Sequence, residues 1–289
     1  MNAIKEYTFH KRVDWEMEFE IFPIEVFLRL HSKIATKPHK LNFYQLIFIT
    51  EGEGVHSVDF QHIPYKAGTL IPVARHQVEA FRVNPDVKGH MLLFTPFFLM
   101  DESSTLHFYT EFLIFNSSIS PIAINGTSHD IVELSDIVTR INRDYQMESD
   151  FAKQEVLRSE LKLLLLRAER IKRRLSTVKC DASLALFKRF KDEIETRVNH
   201  QLGVDDYSQR LAVSRKTLNQ VVKYCTGRTT KHVLDERILL EIKRLLSYSE
   251  LSVKEIAFQL GFDEPTNMVK FFKKHTSYSP SHFRNTFPR

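Results

Sequence analysis

The stretch 252–262 constrains the fold most strongly, because it has the pattern of a capped helix that ends in a tight glycine turn. Ser252 precedes Glu255 by three residues, the spacing of a capping box in which both side chains accept backbone N–H groups at the helix start. Gly261 can adopt the left-handed conformation that ends a helix, and Phe262 can then fold back into the core. A second helix follows, so we predict a helix-turn-helix unit.

A similar unit is predicted upstream. Ser214 is placed to cap its second helix, and Gly227 is placed to end it. Thr230 then begins a long connecting helix that would fix the spacing of the two units. Its inward positions are Leu234, Ile238, Leu245 and Leu246.

The second helix of each unit has an apolar side, which leaves polar and basic side chains facing outward. In the first unit these are Arg215, Lys216, Asn219, Gln220 and Lys223. In the second unit Asp263 is expected to cap the helix, and Thr266, Asn267 and Lys270 face outward, with Lys273 and Lys274 suited to phosphates. Asn and Gln pair naturally with adenine, and Arg and Lys with guanine or phosphate. Two such helices could enter successive major grooves, about 34 Å apart.

The charge of the chain is unevenly distributed. The net charge is +5, but residues 1–150 hold 13 Lys and Arg against 20 Asp and Glu, whereas residues 181–289 hold 19 against 13. A basic C-terminal region suits a polyanion, because phosphate neutralisation supplies most non-specific affinity. The same charges also suit an ordinary solvated surface, so charge alone does not decide between the two.

Short apolar segments separated by turn residues dominate the chain before residue 115. The segment 41–50 is rich in β-forming residues and ends at Gly52 and Gly54, which predict a hairpin-like turn. Further strands are predicted over 55–60, 69–73, 77–83 and 89–95. This pattern favours a small barrel or sandwich.

Helical periodicity follows Asp130. Residues 151–175 carry an apolar stripe of Phe151, Val156, Leu157, Leu161, Leu164, Leu165, Ala168 and Ile171. A stripe this apolar needs a partner surface. Two partners stay open: the barrel of the same chain and the equivalent helix of a second subunit.

Several classes of protein are excluded. Two cysteines cannot build a disulfide framework or a four-cysteine zinc site. The N-terminus lacks the apolar segment of a secretory signal, and the longest apolar stretch, 90–100, is too short to span a bilayer. We therefore expect a cytoplasmic protein with no membrane partner.

Residues 182–289 resemble the DNA-binding domain of AraC/XylS-type transcription regulators. The motifs that carry the resemblance are Ile256-Ala257, Leu260-Gly261-Phe262, Phe272-Lys273-Lys274 and Ser279-Pro280-Ser281-His282-Phe283-Arg284. The resemblance implies base contacts by Lys216, Asn219, Gln220, Thr266 and Lys270. From its outward position we add Asn267 to the predicted base contacts, and from their positive charge we predict phosphate contacts by Arg215, Lys223, Lys273 and Lys274. Three departures from the family pattern are Gln220, where an Arg is common, Ser277, where a Gly usually follows the second helix of the unit, and Asn267-Met268, which replaces a more aromatic pair. Ser277 is expected to strain that turn.

Residues 39–95 are similar to the cupin-like sensor domain common in that family, through segments 44–49, 52–54, 67–72 and 77–81. Metal-binding cupins need three imidazoles and a carboxylate that converge on one ion. Here the histidines are scattered, and Glu79 stands where a His is often found. We expect no metal and no cofactor.

A barrel of this size can hold one small ligand. The candidate effector-binding residues are Tyr44, Arg75, His76 and His90, in a pocket lined by Phe43, Phe48 and Phe94. Each of them could equally be a rim or surface residue. The strand register decides whether Tyr44 or Gln45 points inward, and the sequence leaves that open.

The sequence therefore predicts an α+β multidomain protein. Residues 1–125 form a cupin-like β-barrel sensor domain, residues 126–178 a helical dimerisation segment and linker, and residues 182–289 an all-α double helix-turn-helix domain. We expect a sequence-specific DNA-binding transcription regulator, not an enzyme. Its expected partners are double-stranded DNA, a second copy of the chain, a small-molecule effector and, if it is an activator, RNA polymerase.

Two alternatives stay open. The first is a constitutive or protein-regulated transcription factor whose N-terminal half serves only for dimerisation or a protein partner. The second is a cupin-type metal enzyme with a nucleic-acid-binding module, which the missing ligand cluster disfavours.

Overall fold

The computed structural model describes residues 6–9, 17–82, 84, 86–99, 113–115, 123–148, 151–175 and 182–286. The chain divides into two compact units, Glu6–Lys179 and Cys180–Arg289. No helix in the described ranges combines the length and the apolar character needed to cross a bilayer.

The strands of the first unit form two open sheets. The strands are β1 (Glu6–Tyr7), β2 (Phe19–Pro23), β3 (His39–Leu41), β4 (Tyr44–Glu51), β5 (Glu53–Val58), β6 (Gln61–Lys66), β7 (Thr69–Val73), β8 (Val78–Phe81), β9 (Lys88–Phe94) and β10 (Ile124–Asn125). The order β1-β3-β8-β5-β6 makes what we call the outer sheet, and β10-β7-β4-β9-β2 makes the central sheet. The predicted β-rich domain is confirmed, but among the described strands its sheets do not close into a barrel.

The helices of the first unit are α1 (Ile24–Ala35), α2 (Pro96–Leu99), α3 (Ser128–Gln146) and α4 (Lys153–Leu175), with a 3-10 turn at Leu113–Phe115. The central sheet packs against a layer on each side. In β4, Ile47 and Ile49 belong to a cluster that includes Val58 and Phe81 of the outer sheet. Leu46 and Phe48 lie in a second cluster with residues of α3 and α4. This alternation of period two is what a strand buried on both faces requires.

The turn after β4 differs from the predicted hairpin. β4 pairs with β7 and β9, whereas β5 pairs with β6 and β8. Gly52 has a φ of +84°, and a Cβ there would lie 2.8 Å from the backbone oxygen of Asp86. The glycine therefore lets the chain cross from the central sheet to the outer one, and the hairpin interpretation of this turn is wrong. The tight hairpin is β5–β6 instead, through Asp59 and Phe60, both of positive φ.

The apolar stripe of α4 packs within its own chain. Leu157, Leu161, Leu164, Leu165 and Ala168 are fully buried, in the cluster that contains Leu46 and Phe94 of the central sheet. Of the two partners that the sequence leaves open for this stripe, the structure supports the sheet of the same chain. Phe151 and Val156 are exposed, at 94% and 43%, so they do not belong to the buried stripe.

The second unit is helical in its described residues. Its helices are α5 (Ala182–Thr196), α6 (Val204–Arg210), α7 (Arg215–Thr226), α8 (Thr230–Tyr248), α9 (Val253–Gln259), α10 (Pro265–Thr276) and α11 (Pro280–Thr286). α6–α7 and α9–α10 are the two predicted helix-turn-helix units, and α8 connects them. Two of the three predicted side-chain caps are present: Ser214 accepts from Thr217 N at 3.0 Å, and Ser252 forms the capping box with Glu255.

Candidate nucleic-acid interface

The outward face of α7 carries polar side chains that line one open depression: Arg215, Lys216, Asn219, Gln220 and Lys223. Leu218, Val221 and Val222 hold the opposite face in the core, as predicted. Asn219 is half-buried, and the other four outward side chains are exposed. The face therefore presents three cations and two amides to any ligand long enough to cover it.

The outward face of α10 has a similar construction. Thr266, Asn267 and Lys270 are exposed, while Met268 and Phe272 are completely buried on the other side. Lys273 and Lys274 are exposed in the last turn. The structure thus places all ten predicted DNA-contacting residues outside the core of the second unit, and their roles in binding stay predictions.

The two helices present their polar residues at matching positions. Leu218 and Met268 are each the fourth residue of the helix and are each fully buried. Lys216 and Thr266 are then the second residues, and the sixth residues are Gln220 and Lys270. Equivalent positions therefore face outward in both helices. The second helix-turn-helix unit presents a polar surface at the same positions as the first, but with different side chains.

The supporting helices end in equivalent turns. Gly261 has a φ of +78° and Phe262 is 3% exposed, as the sequence predicts. Ala212 takes the same left-handed conformation in the first helix-turn-helix unit, with a φ of +54°. After the reading helices, Gly227 and Ser277 also match, with φ values of +69° and +66°. The expected strain at Ser277 is therefore present.

One detail of this surface differs from the sequence expectation. The N-cap of α10 is Glu264, with no side-chain cap, so the predicted cap by Asp263 is wrong. The Asp263 carboxylate instead accepts from Gln201 Nε2 at 3.0 Å. Arg215 pairs with Asp205 of α6 at 2.9 Å, and both are exposed. A phosphate could replace that carboxylate, because exposed ion pairs are weak.

The first unit contains a buried polar cluster between its sheets. Glu79 of the outer sheet is 1% exposed and accepts from Gln45 Nε2 of the central sheet at 2.8 Å. His56 Nε2 lies 3.0 Å and His39 Nε2 3.4 Å from the carboxylate oxygens of Glu79. Gln45 therefore points inward and Tyr44 outward, which settles the register question. No group of three or more His, Cys, Asp or Glu in the described ranges is arranged to hold a metal ion.

The charge of this cluster is set by its hydrogen bonds. Burial alone would raise the pKa of Glu79, but the hydrogen bonds and charges of His39 and His56 lower it to about 2. Burial alone would lower the pKa of His39, but Glu79 outweighs it and raises that pKa. His39 Nδ1 is also 2.9 Å from Lys37 O, which requires a proton on that nitrogen. The interior therefore holds an ionised carboxylate beside a histidine that favours its charged form.

Two family models match the chain. Residues 24–161 match an AraC-like ligand binding domain, and residues 207–286 match a helix-turn-helix domain. The chain belongs to the AraC family of transcription regulators. It combines a ligand-binding domain with a helix-turn-helix DNA-binding domain.

The chain is similar to several proteins over most of their length. The HTH-type transcriptional activator RhaS of Shigella flexneri is 23% identical over 281 aligned residues, covering 90% of this chain and 95% of the relative. RhaS of Escherichia coli K12 is 24% identical over 257, covering 85% and 86%. Among solved structures, ToxT from Vibrio cholerae O395 is 12% identical with a TM-score of 0.42, covering 93% of this chain and 98% of ToxT.

The effector candidates of this AraC-family chain are not brought together. Tyr44 stacks on Phe94 and contacts Phe115, on the helix-facing side of the central sheet, and His90 lies on the same side by strand alternation. Arg75 and His76 lie in the turn before β8, where Arg75 donates to Asn42 O and His76 pairs with Glu6. Phe48 and Phe94, expected to line the pocket, pack toward the helices. An effector role for these residues stays a prediction.

The buried cluster was missed by sequence reasoning, although a signal was present. Gln45 and Glu79 stand alone among apolar neighbours in strands, and a polar side chain at such a position needs a buried partner. His39 and His56 are 17 residues apart in the sequence and belong to its scattered histidines. Their convergence depends on the pairing of β8 with both β3 and β5, which the sequence does not reveal.

Proposed function

We propose that this AraC-family regulator binds DNA sequence-specifically by placing α7 and α10 in adjacent major-groove segments. The observation that carries the proposal is the matched placement of exposed polar residues at the second and sixth positions of both helices. Lys216, Asn219 and Gln220, with Thr266, Asn267 and Lys270, would contact bases, and the other four cations would contact phosphates. α8 has 19 residues, a length of about 28 Å at 1.5 Å per residue, so it can separate two helices by about one groove repeat.

Selection from a randomised duplex pool tests this proposal. We expect the full chain to recover a two-part site and to bind it at least about 10³-fold more tightly than random duplex. Four phosphate-contacting cations predict that log K falls with log salt with a slope of about −3.6 or steeper. Binding without sequence preference, or binding insensitive to salt, would contradict the proposal.

We further propose that the first unit binds a small-molecule effector that shifts the population of DNA-competent arrangements. The match to an AraC-like ligand binding domain supports this. Thermal-shift screening of metabolites tests it, because a ligand at 100 times its Kd stabilises the folded state by about 2.7 kcal/mol. If no ligand raises the Tm while a protein partner does, the protein-regulated alternative is favoured.

We propose transcription activation in the cytoplasm, through RNA polymerase, as the outcome of binding. The name of the RhaS relatives, transcriptional activators, supports this sign of regulation. Reporter transcription from a selected site, with and without the protein, tests it directly. A fall in transcript would assign repression instead.

A homodimer is also proposed, through a part of α4 that the fold leaves exposed. Val156, Leu163 and Leu166 are 43%, 37% and 44% exposed on one side of that helix. Sedimentation of the wild type and of Leu163→Asp tests it. We expect the wild type to sediment as a dimer and Leu163→Asp to sediment as a monomer.

A further inference from the structure

The two helix-turn-helix units are connected by a second contact besides α8. The loop of residues 199–201 precedes α6 of the first helix-turn-helix unit. It lies against the turn between α9 and α10 of the second helix-turn-helix unit. His200 N donates to Leu260 O at 2.8 Å. The His200 ring stacks on Phe262, with centroids 3.9 Å apart and planes at 24°, and it meets the edge of Phe271 at 5.6 Å.

The residues on either side of His200 extend this contact. Gln201 Nε2 donates to Asp263 Oδ1 at 3.0 Å. Asn199 lies so close to the second turn that a Cβ on Gly261 would be 2.2 Å from Asn199 Oδ1. Any other residue at this left-handed position would require the Asn199 side chain to move. Each of the three residues therefore touches the turn that begins the second reading helix.

The residues that flank this loop are hydrogen-bonded to α6 of the first helix-turn-helix unit, and the loop is closed by a bond of its own. The hydroxyl of Tyr207, a buried residue of α6, donates to Arg197 O at 3.1 Å. Gly203 N donates to Asp206 Oδ2 at 2.7 Å, and Gln201 N donates to Asn199 Oδ1 at 2.8 Å. The first helix-turn-helix unit thus holds the loop in place, and the loop in turn contacts the second helix-turn-helix unit.

A single connecting helix would let either unit swivel about its axis. α8 contacts α7, α9, α10 and α11, so it supports both units along one line. The contact of the 199–201 loop with the second helix-turn-helix unit is a further connection, and together with α8 it restricts the orientation of α10 relative to α7. Packed interfaces of this kind have discrete arrangements and do not deform continuously.

We propose that the 199–201 loop, with His200 at its centre, is a latch that sets which spacing of two half-sites the protein accepts. The inference rests on the proposed insertion of α7 and α10 into adjacent grooves. His200 is then a positioning residue, since it orients α10 through Phe262 and does not itself touch DNA. Loss of the latch should relax spacing selectivity and leave recognition of each half-site intact.

The experiment uses the full chain and a duplex selected by the wild type from a randomised pool. Binding is measured on the selected duplex, on derivatives with two or five base pairs inserted between the half-sites, and on each half-site alone. Joining two modules in correct register typically raises avidity by about 10² or more, and the wild type should lose that factor on insertion.

For His200→Ala we expect the insertion penalty to fall to about threefold, through weaker binding of the native spacing, with half-site affinities unchanged. His200→Phe keeps a stacking ring and should retain the wild-type penalty. Gln201→Ala removes only the exposed hydrogen bond to Asp263 and should give an intermediate penalty even if His200→Ala folds poorly. Gln209→Ala, an exposed change on α6, is the matched control.

An unchanged penalty in His200→Ala and Gln201→Ala would overturn the latch. Equal losses on every duplex, half-sites included, would also overturn it, because they would indicate general destabilisation. A wild-type chain that ignores spacing would instead overturn the proposed two-groove binding, and the latch with it. These results are distinguishable because the wild type and the variants are compared on the same duplexes.

Discussion

Gln45 in the central sheet and Glu79 in the outer sheet are joined across the interior of the first unit. Gln45 Nε2 lies 2.8 Å and 3.1 Å from the two carboxylate oxygens of Glu79. Both residues are almost fully buried, at 2% and 1% exposure. Because a buried carboxylate is stable only when it is fully hydrogen-bonded, this contact fixes how the two sheets face each other.

Replacement of Glu79 by Ala should destabilise the first unit strongly. The change leaves Gln45, His39 and His56 buried without their acceptor, and removing one partner of a buried pair costs about 3–5 kcal/mol. Urea unfolding measures the loss. Glu53→Ala, at an exposed position of β5, should change stability by less than about 0.5 kcal/mol. If Glu79→Ala and Glu53→Ala were equally stable, the buried cluster would not contribute to the free energy of unfolding.

The same cluster predicts a window of pH in which it stabilises the fold. The pKa of Glu79 is lowered from 4.5 to about 2, so its stabilisation is present above pH 4.5 and is lost as the pH falls toward 2. The pKa of His39 is raised above 6.5, so its stabilisation is present below pH 6.5 and is lost as the pH rises through the folded value. The difference in unfolding free energy between wild type and Glu79→Gln should therefore peak between pH 4.5 and 6.5.

Histidine titration by NMR checks the cause. In the wild type the His39 midpoint should lie above 6.5, and in Glu79→Gln it should fall, since burial then dominates. Glu53→Gln should leave the midpoint where it is in the wild type. A His39 midpoint that does not respond to Glu79→Gln would contradict the charge assignment.

The sequence predicts the helical unit much better than the sheets. Caps and glycine turns are local signals, so Ser252, Glu255 and Gly261 mark the ends of α9 and Ser214 marks the start of α7. Strand pairing is not local. Nothing in the sequence around Gly52 distinguishes a hairpin from a crossing between sheets, because that choice depends on the approach of Asp86 from a distant loop.

The stripe on α4 tests how the helical layer contributes to the fold. Leu161 is fully buried against the sheet, and Leu161→Ala should cost about 2–5 kcal/mol of stability. Val132 on α3 is 59% exposed, and Val132→Ala should cost less than about 0.5 kcal/mol. Urea midpoints at several protein concentrations separate folding from self-association. If the loss of stability in Leu161→Ala became larger at lower protein concentration, the apolar stripe of α4 would instead lie in a subunit interface.

The exposed polar faces of α7 and α10 could be predicted from the sequence, whereas the interior of the β-rich unit could not. Lys216 and Lys270 follow from helical periodicity, because burial of Leu218 and Met268 forces their neighbours outward. The prediction of Tyr44, Arg75, His76 and His90 rests on chemical type alone, and the type of a side chain does not show which other side chains it contacts. The residues that do meet, Gln45 and Glu79 among them, come from strands of different sheets.

Ser277 occupies a conformation that glycine adopts more easily. Its φ is +66°, and the matching Gly227 has a φ of +69°, with open space within 4 Å of the point where a Cβ would lie. The left-handed conformation costs a side-chain-bearing residue about 1–2 kcal/mol, part of which the flexibility of unfolded glycine offsets. Ser277→Gly should therefore raise the unfolding free energy by about 0.5–1 kcal/mol, and Gly227→Ser should lower it similarly. Thermal unfolding compares the two; a destabilising Ser277→Gly would show that the serine side chain makes a contact stronger than the strain.

The proposed base contacts and phosphate contacts of α7 and α10 should respond differently to substitution. Lys216→Ala and Lys270→Ala should each cost about 1–3 kcal/mol on the selected duplex and relax base preference at one position. Lys273→Ala should instead weaken binding to all duplexes and reduce the salt slope by about one unit, because a phosphate contact carries no sequence information. Fluorescence anisotropy on selected and random duplexes over a salt series measures both effects. Lys254→Ala on the supporting helix α9, also exposed, is the matched charge control. Equal losses on selected and random duplex for Lys216→Ala would make it a phosphate contact and remove it from the base-reading set.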